Sequence, residues 1–163
     1  MTAKHKPSYL HDQLIDNATI FRPGDGEVLS IKGGRITLKV TSDLTNDQLG
    51  VYEISLEPGV VGAGVHFHRF MDETFIVTDG TLAVQHGTEE VAATAGTVIH
   101  VPRFTPHGFA NKSDKPTTLM LIFNPAYARE GFFHGLAEIL SKEPVDQQEF
   151  LALYSKYDSY PVK

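Results

Sequence analysis

The stretch VHFHRFMDETF, residues 65–75, decides how this chain is read. His66 and His68 stand one residue apart, and Glu73 follows five residues after His68. On a β-strand alternate side chains share a face, so His66 and His68 point the same way and Val65 and Phe67 the other. At the strand rise their backbones lie about 6–7 Å apart, close enough for two imidazole nitrogens to reach one ion. Arg69 to Asp72 allow a turn. Glu73 then opens the next strand-like run, where its carboxylate can return to the same ion. Alone, the stretch also fits two histidines on the wet face of a strand, with Glu73 a surface carboxylate.

A second cluster bears on the choice. In GTVIHVPRFTPHGFAN, residues 96–111, Pro102 and Pro106 bracket a tight connection. His107, Phe109 and Asn111 then share one face of a strand. His107 adds a third neutral imidazole and completes a set of His66, His68, Glu73 and His107. Asp72 is the alternative to Glu73. Other histidines have plainer readings. His5 and His11 lie in the polar start, His86 abuts Gly87 in a hairpin turn, and His134 falls on a helix face. His100 is in a strand, opposite Ile99 and Val101, and could line a pocket.

Working outward, residues 27 to about 123 read as many short strands. EVLSI and RITLKV flank Lys32-Gly33-Gly34, and VYEISL ends at Glu57-Pro58-Gly59. ETFIVTDGTLAVQHG carries Asp79-Gly80 between two β-rich runs, a strong hairpin signal. EVAAT, TVIHVP, PHGFAN and TTLMLIF follow, bounded by turn residues. Even spacing of short strands predicts an all-β sandwich or barrel rather than βαβ units. After Asn124-Pro125 the period changes. From Tyr127 to Leu140, Phe132, Phe133, Leu136, Ile139 and Leu140 recur at helical spacing. Asp146-Gln147-Gln148-Glu149 has the form of a capping box, and Phe150, Leu151, Leu153, Tyr154 and Tyr157 form the apolar face of a second helix. The helices are expected to pack on the barrel's outer sheet or to bury a dimer face.

Composition narrows the function. The chain has 163 residues, enough for one domain with a full core, of which 41% are apolar and 21% charged. It has no cysteine, which removes disulfides and thiol nucleophiles and leaves His, Asp, Glu and backbone groups to hold any metal. Net charge is −6 with no basic stripe, so nucleic acid is not an expected partner. The first 25 residues are too short for a DNA-binding domain. No apolar run reaches the length of a membrane span, and the start lacks a secretory leader, so a cytoplasmic location is expected.

The two histidine clusters resemble the motifs of the cupin superfamily. Its first motif is a glycine, five residues, HxH, three or four residues, a glutamate, six residues and a glycine. His66-Phe67-His68, four residues, Glu73, six residues and Gly80 match it. The leading glycine does not, since Val60 stands there between Gly59 and Gly62. The second motif is a glycine, five residues, PxG, two residues, a histidine, three residues and an asparagine. Gly96, Pro102, His107 and Asn111 match, and Phe104 replaces the inner glycine. Fifteen residues separate Gly80 from Gly96, close to the shortest spacing in the superfamily. The chain is similar to small single-domain bacterial cupins of the quercetin-dioxygenase-like kind.

The resemblance implies a double-stranded β-helix, or jelly-roll, barrel over residues 26–125. An N-terminal arm (1–25) precedes it and a C-terminal helical extension (126–163) follows. It implies a homodimer, with His66, His68, Glu73 and His107 as ligands of a divalent transition metal: iron, manganese, nickel, cobalt, copper or zinc. Four ligands leave open positions on the ion, which suits substrate chemistry better than a closed structural zinc. Phe75, Val77, Phe109, Tyr52 and Ile54 are expected to line an apolar cavity for a small ligand or substrate. The leading expectation is a dioxygenase acting on a small aromatic or enol substrate. A non-catalytic metal- or ligand-binding cupin and a metal-assisted isomerase or lyase are the alternatives, and no dedicated acid/base stands out for the latter. A bulky residue resists positive φ, so the turn at Phe104 is expected to be built differently, with Phe104 covering apolar surface at the cavity rim.

Overall fold

The computed structural model describes residues 17–162, so His5, His11 and most of the expected arm lie outside it. Among the described residues, ten strands run in sequence before the first helix. They are β1 (Glu27–Ile31), β2 (Gly34–Val40), β3 (Gly50–Leu56), β4 (Val61–Phe67), β5 (Asp72–Asp79), β6 (Thr81–His86), β7 (Glu89–Thr94), β8 (Val98–Val101), β9 (His107–Ala110) and β10 (Thr117–Asn124). Then come α1 (Arg129–Leu140), α2 (Gln147–Lys156) and a two-residue strand, β11 (Tyr160–Pro161).

Two antiparallel sheets face each other. One has the order β1-β2-β3-β10-β5-β8 and the other β11-β4-β9-β6-β7. The interleaved order is that of a double-stranded β-helix, and the fold is all-β with C-terminal helices, as the strand spacing predicts. Alternation sets the inner faces. Tyr52, Ile54 and Leu56 of β3, Leu119, Leu121 and Phe123 of β10, and Phe75 and Val77 of β5 are buried, while their neighbours in sequence are less so. Each such side chain contributes about 1.5–3 kcal/mol by leaving water. Opposite them, Phe109 of β9 packs edge-on against Phe75, with ring centroids 5.3 Å apart. It fits because Gly62 lies beneath it: a Cβ there would stand 2.0 Å from the Phe109 ring.

The helices do not lie on the outer sheet. Phe132, Phe133 and Leu136 of α1 and Tyr154 of α2 line the same cavity as Ile36, Ile54 and Phe109, so they close an end of the barrel. The inner faces of the sheets leave apolar surface uncovered at that end, and the Phe-rich face of α1 fills it. Tyr52 ties helix to barrel by donating its hydroxyl to Glu130 Oε2 at 2.8 Å, and its ring meets Phe133 at 4.8 Å. Helix α1 begins at Arg129 rather than Tyr127, because Tyr127 and Ala128 take left-handed φ of 52° and 48°.

Asp146 caps α2 as expected, accepting from the N–H groups of Gln148 and Glu149. The reciprocal half of the box is absent among the described residues: Glu149 instead pairs with Lys142 at 2.9 Å. Leu151, assigned to the apolar face, is 52% exposed. It sits one helical step from Phe150 and so falls off the stripe of Phe150, Leu153, Tyr154 and Tyr157. The terminal strand β11, which has no periodic signal, pairs with β4 through Tyr160–Phe67 and Pro161–His66.

Candidate metal centre

Strand register brings the four residues together. His66 on β4 is paired with His107 on β9, so both imidazoles stand on the inner face of one sheet. Glu73 comes from the other sheet, at the head of the inward column Glu73, Phe75, Val77 on β5. His68 lies one residue past the end of β4, at the turn that leads to β5. One donor atom from each of the four lies within 4.8 Å of every other, and all four side chains are buried. Donors on a common ion at about 2.1 Å are separated by up to about 4.2 Å, so a small contraction would seat one.

Protons fix the direction of each imidazole. His66 Nδ1 faces the Gly64 carbonyl at 2.8 Å, His107 Nδ1 the Thr105 carbonyl at 2.8 Å, and His68 Nδ1 the Asp158 carbonyl. A carbonyl oxygen only accepts, so each Nδ1 carries the hydrogen and each neutral ring turns a lone pair inward from Nε2. Yet Glu73 Oε2 lies 2.7 Å from His107 Nε2 and 3.1 Å from His68 Nε2. Lone pairs facing a carboxylate need a cation between them, either a proton or a metal ion. The donor set therefore fits a divalent transition metal.

Electrostatics agree. Burial works to raise the Glu73 pKa, but the hydrogen bonds and charges of His107 and His68 outweigh it and hold the carboxyl well below its ordinary range. His66 is lowered to about 3, first by burial and then by His107 and His68, so it is neutral and free to coordinate. Burial also works to lower His107, but the Glu73 hydrogen bond and charge prevail and raise it.

The site adjoins an apolar cavity of about 40 Å³. His66 and Glu73 form part of its wall, with Ile36, Ile54, Phe109, Leu121 and the aromatic residues of the helices. Of the residues expected to line the cavity, Ile54 and Phe109 do so, whereas Phe75, Val77 and Tyr52 are buried in the core away from its wall.

Other candidates fall outside. Asp72 points away and accepts from Arg103 N and Nε at 2.9 and 3.0 Å. His100 is on the outer face, 3.0 Å from Thr74 Oγ1, and does not line the cavity. His86 and His134 are exposed beside Glu89 and Glu27. Asn111 is structural: its amide donates to the carbonyls of Leu56 and Lys115.

Phe104 departs from expectation. It adopts the left-handed φ of a glycine, 64°, so the turn keeps its backbone shape. Asp72 holds this turn through Arg103 N, and Phe104 N donates to the His68 carbonyl at 2.7 Å. The ring is 64% exposed and stacks on Phe67 outside the barrel, not at the cavity rim.

Two contributors escape a reading of the barrel motifs. Asp158 orients the first cluster: its carbonyl accepts from His68 Nδ1, and its carboxylate accepts from the N–H groups of Arg69 and Phe70 at 2.9 and 2.8 Å. Arg129 is 4% exposed and lines the cavity. Its signal was present in the sequence, since a charged residue at position 129 shares the helical face of Phe132, Phe133 and Leu136.

Comparison with known proteins gives the same fold. No curated protein matches the chain in sequence. A solved sugar phosphate isomerase of the cupin superfamily from Silicibacter pomeroyi is 27% identical with a TM-score of 0.51, and the match covers 56% of this chain and 59% of that one. KdgF from Halomonas sp. is 17% identical at a TM-score of 0.59, covering 67% of this chain and 94% of that one. A predicted oxalate decarboxylase from Thermotoga maritima is 16% identical at 0.59, covering 66% and 99%. The cupin domain model matches residues 52–123, which hold all four candidate ligands. Residues 52–123 are thus a cupin domain.

Proposed function

We propose that the chain is a metal-dependent dioxygenase-type enzyme acting on a small enol substrate, with His66, His68, Glu73 and His107 as the ligands of its metal. The observation that carries this reading is the convergence of three imidazoles and one carboxylate in a buried cluster, two of whose members, His66 and Glu73, face an apolar cavity. When bound, a divalent transition metal supplies Lewis acidity and a site for activating dioxygen. The chain's own residues supply the rest. The Nδ1 bonds to the carbonyls of Gly64, Asp158 and Thr105 aim the rings. The aromatic wall excludes water, which strengthens every charge interaction inside. The apolar wall with few polar groups favours a small organic substrate such as an enol.

A metal-assisted isomerase is the second reading, favoured by the name of the Silicibacter pomeroyi relative, of which this chain spans 59%. Oxygen consumption separates the two. Protein loaded with Fe(II) should consume O2 only when a small enol or enolisable compound is added. Turnover of such compounds without O2 uptake would favour the isomerase. Tight binding with no turnover would favour a non-catalytic ligand-binding role.

A further inference from the structure

Arg129 is a buried cation with no salt bridge among the described residues; the buried carboxylate of Asp158, between its partners Tyr157 and Ser159, accepts instead from the N–H groups of Arg69 and Phe70. The Arg129 side chain enters the cavity from the first turn of α1 and is 4% exposed. Nη1 donates to the Tyr157 carbonyl at 2.9 Å and to Ser159 Oγ at 3.0 Å. The guanidinium carbon lies 3.8 Å from the ring centre of Phe132 and 4.7 Å from that of Phe123. These contacts fix the group in place without neutralising it. Nε, fully buried, has no hydrogen-bond partner among the described residues. Burial lowers its pKa to about 10, which leaves it charged at neutral pH.

The only carboxylate on the cavity wall among the described residues is Glu73, and its Oε2 is already engaged by His68 and His107. A divalent ion held by Glu73 and three neutral imidazoles leaves that site with one net positive charge. Arg129 adds a second across the same small apolar space. Asp158 offsets part of this charge from outside the cavity wall, and the remainder in a low-dielectric space is costly unless an anion joins it. An arginine edge with a free N–H matches a planar carboxylate.

We propose that Arg129 is the anchor for the carboxylate of a small organic acid whose adjacent hydroxyl or keto oxygen faces the His66–His68–Glu73–His107 centre. The assignment rests on the metal reading above and narrows its substrate to compact 2-hydroxy or 2-keto acids, of which the keto acids enolise beside the carboxylate-bearing carbon. Recognition comes from the C-terminal helix, outside the barrel motifs.

The test titrates the full chain loaded with Co(II), whose visible bands report ligands at the centre. Pyruvate and glycolate are compared with their neutral counterparts hydroxyacetone and ethylene glycol, and with inorganic phosphate. The acids should perturb the bands saturably and bind at least tenfold more tightly than the neutral compounds or phosphate. Arg129→Gln should hold Co(II) with unchanged stoichiometry and lose that preference at least tenfold, with Arg129→Lys in between. An Arg129→Gln protein that binds the acids like wild type overturns the proposal. So does a wild type that prefers phosphate or the neutral compounds, a result that needs no variant to fold. If wild type binds no Co(II), the metal reading fails. Calorimetry of the metal-free protein with pyruvate then decides the anchor: Arg129-dependent heat supports it, and no heat overturns it.

Discussion

The barrel and the C-terminal segment reach the same cavity by different physical means. In the barrel, donors are placed by strand register: His66 sits opposite His107, and Glu73 opposite Phe123 and Val101 on its neighbours. Backbone ladders fix these three positions, and only His68, one residue beyond β4, lies outside a strand. In the C-terminal segment, Arg129, Tyr154 and Asp158 are placed by side-chain packing, one capped helix and a two-residue strand. The first arrangement suits a metal, which demands fixed donors. The second suits a cover, which must let a ligand in. Arg129, Phe132, Phe133 and Leu136 of α1 and Tyr154 of α2 form that cover.

Substitutions can break or sharpen this contrast. The largest effect is expected in the barrel. His107→Ala removes a donor that no neighbour replaces, and metal per chain, measured by mass spectrometry after dialysis, should fall from about one to near zero. In the cover, Phe133→Ala should lower stability by about 3–5 kcal/mol in thermal or denaturant unfolding, since a buried ring leaves a void. Metal stoichiometry should stay at wild-type level. Loss of metal in this variant would erase the distinction between the two regions.

Asp158→Ala tests the link between them that reaches a candidate ligand, His68. It orphans the N–H groups of Arg69 and Phe70, at a cost of about 1–3 kcal/mol. It should also loosen the turn that carries His68 and weaken metal binding about tenfold, by analogy with other supports of a ligating histidine. Unchanged affinity would show that the barrel holds His68 unaided. Asp146→Ala removes the α2 cap and should cost about 1 kcal/mol in stability with no change in metal affinity. Smallest of all, Phe104→Gly relieves a left-handed φ and gives up a stack on Phe67, so unfolding should shift by about 1 kcal/mol or less, towards greater stability.

The same contrast explains what could be read from the sequence. Barrel strands alternate with period two, and their turns are marked by Gly, Pro and Asp-Gly, so strands and ligands alike follow from spacing. Both helices are legible too, from their Phe and Leu periodicity and the Asp146 cap. Where they dock is not: an apolar stripe states that a helix must be covered, not by what. Asp158 works mainly through its backbone carbonyl and a long-range bond to Arg69 and Phe70, and neither leaves a local pattern. Phe104 misled in the opposite sense. Residue type argues against positive φ, but the bonds from Asp72 to Arg103 and from Phe104 to His68 impose it.

X-ray absorption at the cobalt edge, on protein loaded with one equivalent of Co(II), is the most direct test. The fine structure should require three imidazole ligands at about 2.1 Å, with one or more oxygen donors completing the shell. The imidazole signal should be reduced in His66→Ala and unchanged in Phe133→Ala. A wild-type spectrum fitted by oxygen donors alone, or by a single imidazole, would contradict a metal centre built from His66, His68, Glu73 and His107.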